Sequence, residues 1–274
     1  MPLVLLALLI MALSLLAGLG PRLLGRRLTN DQMSDITGIA AGLLLASALL
    51  VVIPEGFEVA AATSSSDGGF VYEPLVLGGA VLVGFLTMLL LEGLGVGHDI
   101  HEEHHDHAKG HGHGHVHHPT SARSLVLGLS VHAMADGVAI GSAAAAGDAA
   151  FSAVIAVAVL IHRVPAAFSL GVFTLHEDHS SKRAVQSVVA FAAATPITML
   201  VSFLLLDGAD AGLIAMALLF SAGTFVYVAT VDTLPAVHNT EVGRRSMRNV
   251  LLGAAIFAVV LWLASLGGFL DHSS

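Results

Sequence analysis

Ten of the eleven lysines and arginines in this 274-residue chain fall into alternate gaps between eight apolar runs. The runs cover residues 3–19, 36–53, 75–91, 124–146, 151–173, 184–206, 212–231 and 250–270. Arg22, Arg26 and Arg27 follow the first run. Lys109 and Arg123 lie between the third and fourth, Lys182 and Arg183 between the fifth and sixth, and Arg244, Arg245 and Arg248 between the seventh and eighth. The other gaps and both ends have no basic residue. Basic residues stay on the cytoplasmic side of a membrane, so the pattern predicts eight spans with both termini outside. Arg163 is the exception. It lies inside the fifth run, where a charge is costly and needs a reason.

Each run is about long enough to cross a ~30 Å hydrocarbon core at 1.5 Å per residue. Hydrophobic residues make up 55% of the chain and charged residues 11%, with mean hydropathy +0.85, which excludes a soluble domain of this length. The first run has no basic residue before it and is long for a signal peptide, so it is read as a retained span. The fold expected is an all-α polytopic membrane protein, one membrane domain over residues 1–274. Absence of cysteine excludes disulfides and thiolate metal sites. The net charge is -9, and arginine outnumbers lysine nine to two. This composition suits a prokaryotic cell membrane.

Tight turns are expected at Gly147 and Asp148 and at 207–210, and a longer polar outer gap from Glu55 to Glu73. Residues 97–121 form the one low-complexity segment, with ten histidines in the 21 residues 98–118. These are His98, His101, His104, His105, His107, His111, His113, His115, His117 and His118. With almost nothing apolar to bury, the segment is expected to be a disordered cytosolic loop that collects metal. A weak internal repeat also shows. With Pro54 laid on Pro235, Ala41 and Gly42 fall on Ala222 and Gly223, and Ala48 on Ala229. The two spans run in opposite directions, as in inverted-topology repeats.

The fourth run carries His132 and Asp136, four apart and so on one helical face. Counted from Arg123, His132 lies about 13 Å deep at helical rise, near the midplane. His162 is eleven residues from each end of the fifth run. A tight turn makes these two spans antiparallel neighbours, so the three side chains converge. Two imidazoles and a carboxylate suit zinc, and imidazole also suits iron, copper and nickel. The bland alternative is two neutral hydrogen-bonding histidines and an Asp136–Arg163 pair. Pro165, one turn beyond His162, frees the carbonyl of Ile161, which is tolerated where the helix is buried or lines a wet cavity.

Glu55, Glu92 and Asp232 lie near span ends, either as solvated end residues or as an acidic route to and from the central site. His101, Glu102, Glu103, His104 and His105 match H-E-x-x-H, but a chance match is expected in a tract so rich in these residues, and the zinc-protease reading needs a folded helix.

These features resemble the ZIP (Zrt/Irt-like) family of divalent metal transporters. The most specific stretches are VHAMADGVAIG at 131–141 and IHRVPAAFSLGVF at 161–173, similar to a subgroup with H-A-x-A-D-G and H-K-x-P-A-A-F motifs. IPEG at 53–56 and SAGTFVYVATV at 221–231 add to the likeness. The resemblance implies a 3+2+3 arrangement, with spans four and five between two inverted three-helix repeats. It also implies a metal path between spans two, four, five and seven, and His132, Asp136 and His162 as transport ligands. In much of the family, carboxylates in span five help hold a second metal. Here those positions read Arg163, Pro165, Ala166 and Ala167, and span seven has Asp232, Leu234, Pro235 and Ala236 where the subgroup has His and then L-P-E. These departures favour a single metal.

The function expected is transport of a divalent cation, zinc foremost and Fe2+, Mn2+ or Cd2+ besides, toward the cytoplasm. No cofactor, no enzymatic activity and no nucleic-acid partner are expected. The partners are the metal ion, the lipid bilayer and, as a candidate, a second copy of the chain. Rival readings are a cation-diffusion-type exporter, a metal-sensing membrane receptor and an intramembrane metalloenzyme.

Overall fold

The structure is a computed structural model describing residues 3–24, 29–64, 73–94, 122–147, 149–177, 181–238 and 243–266. The histidine-rich tract and its H-E-x-x-H match lie outside the described residues. The described chain is helical throughout: α1 (Leu3–Leu24), α2 (Asn30–Ser47), α3 (Ile53–Ser64), α4 (Pro74–Gly93), α5 (Ala122–Ala145), α6 (Ala149–Glu177), α7 (Ser181–Leu206), α8 (Ala211–His238) and α9 (Gly243–Leu266). Eight helical stretches are long and apolar enough to cross a membrane, as the runs predict.

Local chemistry sets several helix ends. Thr29 starts α2 with a capping box: its Oγ1 accepts from the Gln32 amide at 3.3 Å, and its own amide donates to Gln32 Oε1 at 3.0 Å. Pro74 stands in the first turn of α4, where its missing N–H costs nothing. Gly147 (φ 86°) and Gly208 (φ 72°) turn the chain after α5 and α7 at the predicted places, in a conformation that glycine adopts without strain.

Span two is composite. A π-helical turn, Ala48–Val52, joins α2 to α3, with the Ile53 amide donating five residues back to the Ala48 carbonyl. The wider turn lets the helix run on through Pro54, which has no N–H to donate. As a result the stretch from Glu55 to Ser64, expected as the start of a loop, is helix, and Glu55 and Glu58 stand on it one turn apart.

Burial separates inner from outer spans. Of the most apolar window of each span, 67% is buried in spans four and seven, 56% in two and 50% in five. The figure is 17% in three and eight, 28% in one and 39% in six. Spans two, four, five and seven therefore form the centre. The outer spans present leucine and valine to their surroundings, as a hydrocarbon solvent allows.

Glycine sets the closest approaches. A Cβ on Gly42 would run into the Val250 carbonyl, and one on Gly253 into that of Ile39, so span two packs backbone to backbone on span eight. Gly84 against Phe220 and Gly223 against Val81 do the same for spans three and seven. The main pairings are one with five, six with four, two with eight, seven with three, two with five and seven with four. Spans one and six, two and seven, and four and five also touch. Exchanging one for six, two for seven, three for eight and four for five leaves this set unchanged. Among the described residues, the contacts of five with six, seven with eight and three with four have no counterpart of similar extent.

Candidate metal centre

His132 and Asp136 share a face of α5, and His162 meets them from α6. One ligand atom from each lies within 4.8 Å of the others, and all three residues are buried. The Asp136 Oδ1 atom is 3.4 Å from His162 Nε2 and 3.7 Å from His132 Nε2. Phe225 of α8 stands against both rings, its centroid 6.1 Å from each. The matched depths predicted from the runs do bring the three side chains together.

The hydrogen bonds orient the set. His162 Nδ1 lies 2.9 Å from the Ala158 carbonyl. A carbonyl accepts only, so that nitrogen carries the proton and Nε2 presents its lone pair. Nε2 and the Asp136 Oδ1 are both buried without a hydrogen-bond partner. Two electron-rich atoms facing each other in a low-dielectric site repel unless a proton or a metal ion stands between them. Ligands on a tetrahedral zinc with bonds of about 2.0–2.1 Å lie about 3.3–3.4 Å apart, so this pair already has the required spacing. The wider His132 spacing leaves a contraction to be made on binding.

Asp136 has a second partner. Its Oδ2 lies 3.4 Å from Nη1 of Arg163, the largest of the fully buried side chains among the described residues. Arg163 Nε donates to Ser14 Oγ of span one at 2.8 Å, and Nη2 donates to the Phe191 carbonyl of span six at 2.7 Å. The guanidinium carbon lies 4.4 Å from the centre of the Phe191 ring. Ser14 in turn donates to the Ile10 carbonyl at 2.7 Å. The Asp136–Arg163 pairing of the bland alternative is therefore present together with the histidine cluster.

A cavity of about 50 Å³ opens beside the two histidines, lined also by Thr37, Ala40, Ala41, Leu44, Leu129, Pro165, Ala166, Ser169 and Val228. Leu129 lies between His132 and the basic gap at Lys109 and Arg123, and Pro165, Ala166 and Ser169 lie between His162 and the basic gap at Lys182 and Arg183. Pro165 lines the cavity as expected. A larger cleft of about 450 Å³ lies in the opposite half, between spans two, five and eight, with Glu55, Glu58 and Trp262 on its wall.

Other sequence candidates lie apart from the cluster. Glu55 is in the large cleft, and Glu92 accepts from the Tyr227 hydroxyl at 2.8 Å; neither is on the wall of the histidine cavity. The Asp232 side chain lies outside the described residues. Sequence reasoning missed Ser14, Phe191, Thr37, Ser169 and Glu58. A serine alone in an otherwise apolar run was the available signal for Ser14. Nothing local marks a backbone carbonyl such as that of Phe191.

A family model described as ZIP Zinc transporter matches residues 95–261. The zinc transporter ZIP9 of Micropogonias undulatus is 32% identical over 246 residues, covering 76% of this chain and 77% of its own. That of Xenopus tropicalis is 30% identical over 252 residues, covering 78% and 80%. The zinc transporter ZIP2 of Homo sapiens is 31% identical over 150 residues, covering 53% and 48%.

Proposed function

The chain belongs to the ZIP zinc transporter family, and on that premise we propose that it carries zinc across its membrane toward the cytoplasm through His132, Asp136 and His162. The observation that carries this reading is the buried pair of His162 Nε2 and Asp136 Oδ1, 3.4 Å apart with no hydrogen bond to either atom, His162 also lining the cavity. The ligands are borderline in softness and three in number, with a fourth position left to water from the cavity, which suits a transient zinc ion. Iron, manganese and cadmium are secondary substrates on the same chemistry.

The histidine cavity lies on the side of the basic gaps, which supports release to the cytoplasm under the positive-inside rule. Both termini are then outside, and residues 97–121 form a cytosolic loop that receives or senses the released metal. The exchange pattern of helix pairings supports two inverted three-helix repeats around spans four and five. The stretches at 131–141 and 161–173 support the H-A-x-A-D-G subgroup. The relatives named above are animal proteins, so only composition supports a prokaryotic cell membrane as the host.

The test is zinc flux into proteoliposomes, with iron, manganese and cadmium as competitors. His132→Ala and His162→Ala should each abolish saturable flux while the protein still folds. Wild-type flux in both variants would overturn the site. Binding without flux in the wild type would favour a metal-sensing receptor, and flux in the opposite sense in oriented vesicles would favour an exporter.

A further inference from the structure

Arg163 divides the two oxygens of Asp136. Oδ2 faces the guanidinium at 3.4 Å, and Oδ1 faces the histidines. A guanidinium does not lose its proton under physiological conditions, so the charge beside the site is permanent. Its position is fixed from three other directions, by Ser14 Oγ, the Phe191 carbonyl and the Phe191 ring. We infer that Arg163 is a positioning and release residue for the transported ion. It leaves Asp136 one oxygen to give, keeps a second cation from the other oxygen, and weakens the hold on the first.

The charge count supports this. With neutral imidazoles, Asp136 and Arg163 cancel, so the empty cluster carries no net charge. A bound divalent ion then leaves two uncompensated positive charges in a low-dielectric setting. Without Arg163 the empty cluster would be anionic and would hold the same ion more tightly. A transport site needs a ligand set good enough to select its ion and weak enough to let it go. Two imidazoles and one carboxylate oxygen supply selection, and the fixed cation supplies release. The geometry also separates this role from a plain structural pair. Arg163 has good hydrogen bonds to Ser14 and Phe191 at 2.8 and 2.7 Å, yet its contact to Asp136 is long at 3.4 Å. The anchoring bonds are those away from the site.

This inference rests on the metal-site reading above, and the experiment separates the two. Zinc binding to purified protein is measured by calorimetry, and initial zinc flux in proteoliposomes. Four chains are compared: wild type, Arg163→Gln, Arg163→Lys and His162→Ala. Arg163→Gln should bind zinc at least about tenfold more tightly and turn over more slowly, because a unit charge a few ångströms away has been removed. Arg163→Lys also loses the fork but keeps the charge, so its affinity should stay within about threefold of wild type. Glutamine and lysine variants with equal affinities, or a glutamine variant with wild-type affinity and turnover, would leave only a structural role and overturn the inference. If Arg163→Gln does not fold, the lysine variant decides. Tenfold tighter binding there would show that charge does not set affinity. Intact binding and flux in His162→Ala would instead remove the metal site itself.

Discussion

Arg245 closes a two-pronged ion pair on Asp35, with Nε 2.7 Å from Oδ1 and Nη2 2.5 Å from Oδ2. Its Nη1 reaches Asp31 at 2.9 Å, and Asn249 donates to the same Oδ1 at 2.6 Å. The cluster ties the first turns of α2 to the first turns of α9, beside the close approach of Gly42 and Gly253. The inner half of span two, which lines the histidine cavity, is thereby held to an outer span. The side chains are about a third exposed, at 37% for Arg245 and 31% for Asp35, so solvent screens the pair. Arg245→Ala should lower the melting temperature in detergent only slightly, because solvent screens an exposed pair. An unchanged melt would show that the cluster is not needed to hold these spans together.

Glycine at the helix crossings should be intolerant while glycine elsewhere is not. A Cβ at Gly84 meets the Phe220 carbonyl and one at Gly223 meets that of Val81, whereas a Cβ at Gly78 on the same α4 meets nothing within 4 Å. Gly84→Ala and Gly223→Ala should each destabilise by about 1–3 kcal/mol, because the helices must separate. Gly78→Ala should be neutral or stabilising by up to about 1 kcal/mol, because alanine favours the helix. Thermal melts of the three variants check the contrast.

The His162 geometry sets the direction of the pH effect on zinc. Nδ1 is committed to the Ala158 carbonyl, so Nε2 is the atom for which proton and metal compete. Zinc affinity should therefore fall as the medium is acidified, because a proton on Nε2 takes up the lone pair that would bind the metal. Binding titrations at several pH values measure this. Affinity independent of pH would exclude imidazole as the ligand.

Absence of cysteine from the chain allows the accessible side of each cavity to be read from single substitutions. Ala166 lines the histidine cavity and Glu58 the opposite cleft. In oriented vesicles, Ala166→Cys should react with a membrane-impermeant thiol reagent from the basic-gap side, and zinc should protect it. Glu58→Cys should react from the other side, without protection. Zinc protection of Glu58→Cys alone would place the bound ion in the large cleft instead.

The number of spans, the convergence of His132, Asp136 and His162, and the need of Arg163 for an anion were all legible in the sequence. Each depends on counting along one run or across one tight turn, at a fixed rise per residue. Which oxygen of Asp136 faces the histidines, and which faces Arg163, depends on tertiary packing. So do the reach of Arg163 to Ser14 and Phe191, the pairing of Asp35 with Arg245, and the continuation of span two through Pro54. The reason is the solvent. In water a helix shows its packing face by its apolar stripe, but in hydrocarbon a leucine against lipid and a leucine against protein read alike. The rotation of each span about its axis is therefore not written in its hydropathy. It is settled by the few places where glycine admits a backbone, or where a buried polar group finds its partner on another span.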